Sequence, residues 1–126
     1  MREAKLLFGP EATAATMGRR VLDGLSDGLE PARLDDARLL LTELIANAIQ
    51  HGNLDAADRI SVVFRRRGDG IVVEVADPGD GVPGTVEPGS GSGWGLTLLA
   101  RLADDWGLEP RSDGGTLAWF RLANPD

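Results

Sequence analysis

Two hydrophobic periods alternate along this chain. "EAKLLFG" (3–9) predicts a short opening strand that stops at Gly9-Pro10. From Glu11 to about Leu29, the apolar residues Met17, Val21, Leu22, Leu25 and Leu29 recur at helical spacing. A second helix follows from Glu30 to Gly52. Leu34, Ala37, Leu41, Leu44, Ile45, Ala48 and Ile49 form its broad apolar face; Pro31 suits its first turn and Gly52 its stop. "RISVVFRRR" (59–67) and "IVVEVAD" (71–77) flank the turn "GDG" and predict an antiparallel hairpin. Ile71, Val73 and Val75 fall on one of its faces, and Val72, Glu74 and Ala76 on the other. A glycine-rich loop runs from Asp77 to Gly93, then "WGLTLLARLADDWG" (94–107) predicts a third helix. "LEPRS" (108–112) and "TLAWFRLA" (116–123) close the chain as strands around the turn "DGG". The order β-α-α-β-β-loop-α-β-β predicts an α+β fold: a two-layer sandwich with helices over one face of a sheet. No repeat or linker interrupts the pattern, so residues 1–126 are expected to form one domain.

Composition narrows the function classes. There is no cysteine, which excludes disulfides and thiolate metal sites and fits a reducing cytoplasm. No apolar run reaches the roughly 18 residues of a membrane span, and the N-terminus lacks a signal-peptide core. The net charge of −7 argues against direct nucleic-acid binding, which needs a positive footprint. Lys5 is the only lysine, and no "GxxxxGK[ST]" occurs, so a P-loop is absent. "GSGSGWG" lacks GxGxxG spacing. His51 is the only histidine, which rules out a multi-histidine zinc site; no "GxSxG" elbow accompanies it.

Two constellations carry candidate chemistry. In "LLLTELIANAIQHGN" (39–53), Glu43, Asn47 and His51 lie four residues apart on an otherwise apolar helix. That stripe is either a wet surface or one wall of a site. Asn is a poor helix-interior residue, and Ala46 and Ala48 beside it in sequence leave room. A carboxylate and an amide so placed can hold Mg²⁺, which keeps its own waters and takes further oxygens from substrate phosphates. In the second constellation, Asp77 ends a strand and opens the glycine-rich loop. Gly79 and Gly81 permit close backbone approaches. Gly89, Gly91, Gly93 and Gly95 lead into a helix whose free N–H groups could bind phosphate without lysine. An ionised Asp77 accepts hydrogen bonds, so it could receive the exocyclic amino group of a purine. The other reading of this segment is a surface loop with no ligand.

"ELIANAIQHG", "DPGDG" and "GSGWGL", in that order, resemble the N box and two glycine boxes of the GHKL ATPases. This superfamily includes gyrase-type topoisomerases, histidine kinases and mismatch-repair proteins. The resemblance implies a GHKL (Bergerat) sandwich, with a mixed, mostly antiparallel sheet covered on one face by three helices. It implies ATP and Mg²⁺ as ligands. Glu43 would act as general base, and Asn47 would ligate Mg²⁺. Asp77 would hold the adenine amino group, with Gly79 and Gly81 shaping that pocket. Gly91, Gly93, Gly95 and Leu96 would contact phosphates, and His51 would shape the site.

The compact form with "ELIANAIQHGN" and "GWGLTLLARLAD" is similar to stand-alone bacterial anti-sigma factor serine kinases. That likeness implies a cytoplasmic serine/threonine protein kinase that phosphorylates a STAS-domain anti-anti-sigma partner. It also implies binding of a sigma factor and formation of a homodimer. Two features depart from the pattern. No basic residue lies between Gly81 and Gly93, leaving Arg101 as a distant substitute, and Trp94 stands where smaller or basic residues often sit. They keep open a second reading: an ATP-sensing interaction module with little or no turnover.

Overall fold

The computed structural model describes residues 2–51, 54–79, 94–112 and 114–125. The elements are β1 (Arg2–Phe8), α1 (Thr13–Gly24), α2 (Pro31–His51), β2 (Ile60–Arg67), β3 (Gly70–Asp77), α3 (Trp94–Leu102), β4 (Asp105–Pro110) and β5 (Thr116–Ala123). The strands form one five-stranded sheet in the order β1-β2-β3-β5-β4. All four pairings are antiparallel, so the expected mixed, mostly antiparallel sheet narrows to an antiparallel one. The predicted α+β sandwich stands. Among the described residues no helix is long and apolar enough to cross a membrane.

Strand alternation decides which face the helices cover. Ile60, Val62 and Phe64 on β2, Ile71, Val73 and Val75 on β3, and Ala118, Phe120 and Leu122 on β5 are all buried. The register sets Phe64, Val73 and Phe120 in one row across the sheet, so these aromatic and branched side chains share a layer. Ala37, Leu40, Leu41, Leu44, Ile45 and Ala48 of α2 complete the same core, with Leu22 from α1 and Leu99 from α3. Arg66 and Asp77 are the buried polar residues on this face. The buried Arg66 guanidinium donates from Nη2 to the Gly68 carbonyl at 3.0 Å, and its Nη1 has no hydrogen-bond partner among the described residues. The opposite face carries a cross-strand charge ladder in which Arg65 pairs with both Glu3 and Glu74.

α1 packs closely on α2 because Gly18 has no side chain. A Cβ there would stand 3.2 Å from Ile45 Cδ1 and 3.3 Å from Leu41 Cδ2. Polar groups then line the seam: Arg19 donates to Thr42 at 2.9 Å, and Arg38 pairs with Asp23 at 2.8 Å. The hydrogen bond to Asp23 is the main reason the Arg38 guanidinium is held above its usual value.

Three sequence expectations need correction. The first helix ends at Gly24, not Leu29. A turn replaces its last residues, in which the Leu29 N–H donates to the Ser26 carbonyl and Gly28 takes φ +78°. Leu29 is still buried, but Met17, assigned to the apolar face, is 45% exposed. The third helix ends at Leu102, and "DWG" belongs to β4. Pairing wins there because the Asp104 N–H already bonds the Arg121 carbonyl, and Gly107 leaves room for the Trp119 indole on the facing strand.

The β4–β5 turn folds back onto the end of β3. Gly114 has φ +94°, and a Cβ on Gly115 would lie 2.0 Å from the Asp77 carbonyl oxygen. Backbone meets backbone here, so no rotamer change relieves the clash. Gly115→Ala is therefore expected to destabilise the fold by about 2 kcal/mol or more in urea unfolding. Leu41→Ala, which hollows the α1–α2–sheet junction, should cost about 2–5 kcal/mol in the same assay. A Gly115→Ala variant as stable as wild type would show that the turn relaxes freely.

Candidate functional site

Each element that bears a candidate residue has a known direction. β3 finishes at Asp77, directly opposite Thr116, the first residue of β5. This is called the upper end. α2 starts at the lower end, where the Glu30 N–H donates to Asn124 Oδ1 at 2.8 Å and Arg33 Nε donates to the Ala123 carbonyl at 2.9 Å. Its 21 residues then climb about 31 Å toward the upper end. α3 descends: its last carbonyl, on Leu102, accepts from Arg33 Nη1 at 3.3 Å. The end of β3 and the start of β5 stand together at the upper end, and the upper half of α2 and the N-terminus of α3 are both directed toward it.

Within α2, Arg33, Leu40 and Asn47 lie along one strip because steps of seven residues return nearly to the same side. Arg33 reaches the end of α3, so this strip faces α3. Asn47 sits on it, half-buried, and Glu43 lies one step toward solvent, also half-buried. Both stand at the rim where core gives way to water. Ala46 and Ala48 do not clear space beside Asn47 as expected. Ala48 is 6% exposed and packs in the core, while Ala46 faces solvent on the other side. His51 closes α2, and its side chain lies outside the described residues.

Asp77 is 6% exposed, and its carboxylate is locally oriented. Oδ1 accepts the Gly79 backbone N–H at 2.8 Å, an Asx turn that directs the chain off the strand. Its carbonyl accepts from Arg111 Nη1 at 3.3 Å. Gly115 lies against that same carbonyl. Gly81, Gly91 and Gly93 lie outside the described residues. Gly95 and Leu96 belong to the first turn of α3, with Trp94 at its start.

Sequence reasoning missed three neighbours of Asp77. Thr116 is half-buried on the same face as Asp77, and the strand register alone reveals it. Gly115 is indispensable sterically, and the doublet Gly114-Gly115 before an alternating strand was its only trace in the sequence. Arg111 reaches Asp77 only because the β4–β5 turn bends back. Arg101 is exposed in the last turn of α3, at the lower end, so it is not placed to substitute for a basic residue over the loop.

The donor set fits one class of metal better than others. Among the described residues no group of three His, Cys, Asp or Glu side chains gathers to cage an ion. One carboxylate and one amide suit a hard cation that keeps most of its water and shares phosphate oxygens.

Comparisons with known proteins bear on the family and the fold. The model of the histidine kinase-like ATPase domain matches residues 10–122. A search of curated proteins finds no match. A crystal structure of the RsbU and RsbW domains of Rv1364c from Mycobacterium tuberculosis is similar to this fold, with a TM-score of 0.75 and 20% identity. The match covers 98% of this chain and 32% of that one, so this chain spans about a third of its neighbour's length. With the family model matched across most of its length, the chain belongs to the histidine kinase-like ATPase domain family, and ATP is the ligand that membership implies.

Proposed function

We propose that residues 1–126 form one cytoplasmic domain that binds ATP with Mg²⁺ at the upper end of the sandwich. The domain acts as an anti-sigma factor and serine/threonine protein kinase on a STAS-domain partner. One observation supports the reading: the three sequence boxes fall on or beside elements directed toward that end, with Asn47 on α2, Asp77 at the end of β3 and the last box leading into α3. The anti-sigma assignment draws on the sequence resemblance. The likeness to a protein described by RsbU and RsbW domains supports it. The same resemblance adds a sigma factor and a second copy of the chain as partners.

In this reading, Asp77 accepts the adenine amino group, helped by Thr116 across the strand pair. The Asx turn to Gly79 holds the carboxylate in a fixed direction. Gly79 and Gly81 shape the adenine pocket. Gly91, Gly93, Gly95 and Leu96 present backbone N–H groups to the phosphates, where the α3 dipole favours negative charge. Asn47 would hold Mg²⁺, which would supply neutralisation of phosphate charge when bound. His51 borders the site. Glu43 takes the proton from the partner's serine hydroxyl as its oxygen bonds to the γ-phosphorus. The bond from that phosphorus to the β–γ bridging oxygen breaks, and ADP leaves.

A second reading has its own observation. No basic residue occurs between Gly81 and Gly93, Arg101 stands at the lower end, and Arg111 is at the adenine side. A site without a cation over the γ-phosphate suits a nucleotide-sensing module with little turnover.

Incubation with ATP, Mg²⁺ and a STAS partner should yield phosphoserine detectable by mass spectrometry. Glu43→Ala should cut transfer by about 100-fold or more while ATP affinity stays within about threefold. Binding without transfer to any STAS partner would favour the sensing module. Asp77→Asn should weaken ATP binding in calorimetry by about tenfold or more, because an amide presents a donor where the adenine amino group needs an acceptor. Undiminished affinity in that variant would remove Asp77 from the adenine site.

A further inference from the structure

Arg33 lies in the first turn of α2, and its side chain is only 17% exposed. One guanidinium there joins three elements. Nε donates to the carbonyl of Ala123, the last residue of β5, at 2.9 Å. Nη1 donates to the carbonyl of Leu102, the last residue of α3, at 3.3 Å and to Asp36 at 3.2 Å. Nη2 donates to Asp104 Oδ1 at 2.9 Å, just before β4. The other Asp104 oxygen accepts the Ala123 N–H at 2.8 Å, which closes the ring. The cation also meets the negative end of the α3 dipole. A recess of about 520 Å³ opens over this clasp, lined by Arg33, Asp104, Arg121, Ala123, Asn124 and Pro125. It holds none of the nucleotide-site residues.

The three elements tied here are ones whose other ends run toward the upper end of the sandwich. α2 carries Glu43 and Asn47, α3 begins at the phosphate loop, and β5 begins with Thr116. We propose that Arg33 is a positioning residue for the nucleotide site, a role that rests on the ATP-binding reading above. It fixes the tilt of α2 against α3 from the far end. Arg33 and Asn47 are separated by about 21 Å of helix, so a tilt of about 3° at the clasp moves Asn47 by about 1 Å. Functional sites tolerate about half that displacement. The adenine end depends on the clasp less, because Asp77 and Thr116 face each other directly in strand register.

Lysine cannot replace this residue. Its compact ammonium lacks the planar fork that spans two carbonyls and two carboxylates. The test compares Mg·ATP and adenosine binding by calorimetry in wild type and Arg33→Lys, with urea unfolding to confirm a cooperative fold. The expected result is a Kd for Mg·ATP raised by about tenfold, with adenosine affinity changed by less than about twofold. A role confined to stability would lower the unfolding midpoint and leave both affinities alone. An unchanged Mg·ATP Kd in folded Arg33→Lys overturns the proposal, as does an equal loss for both ligands. A wild-type chain that fails to bind Mg·ATP overturns the underlying reading instead, and the clasp role falls with it. Should Arg33→Lys not fold, Asp104→Asn removes the charge from one arm, and a smaller shift confined to Mg·ATP is expected.

Discussion

Ala37, Leu41, Leu44, Ile45 and Ala48 leave water together only if α2 lies along the sheet with one side down. At roughly 25 cal/mol per Å² of apolar surface, burying that side outweighs any local preference of the polar residues between them. Everything at the upper end follows from this constraint. Once the apolar side is down, Asn47 can only stand at the α3 rim, and Glu43 one step outward. The sheet obeys the same rule. Burial of Ile71, Val73 and Val75 puts Asp77 on the covered face, where β3 ends.

The order of elements was legible because strand and helix periods are strong signals here. β5 is found at its expected bounds, and α2 ends within one residue of its stop. The failures share a cause, since each was decided by contacts distant in sequence. Helical spacing continues through Asp105-Trp106, yet pairing with β5 claims those residues for a strand. Leu25 and Leu29 keep helical spacing, but the chain must turn at Gly28 to deliver Asn124 its two bonds, from the Glu30 N–H and to the Gly28 carbonyl. For the site, Glu43, Asn47 and Asp77 were readable as residue types at telling positions. Thr116 and Arg111 were not, because their meaning depends on register and on a turn that folds back. Ala48 illustrates the opposite error: adjacency in sequence was taken for adjacency on the helix surface.

A chain of net charge −7 that binds a polyanion must find its positive potential somewhere other than its side-chain total. In the proposed reading, backbone provides it. The Gly79 N–H already serves the Asp77 carboxylate, and the helix dipole of α3 favours negative charge at its start. The arginines are mostly committed elsewhere: Arg65 to the open face, Arg38 to the α1 seam and Arg33 to the clasp.

β5 also works as a ruler. Its first residue stands opposite Asp77, and its last is held by Arg33 and Asp104. Eight extended residues measure a fixed length of about 26 Å, and side chains alternate without slack. Gaining or losing one residue anywhere within it would turn Phe120 or Leu122 toward water, or carry Thr116 away from its partner. Substitutions along the exposed side of β5 are thus far more tolerable than a change in its length. The separation between the two ends of the molecule is written as a count of residues, not as their identity.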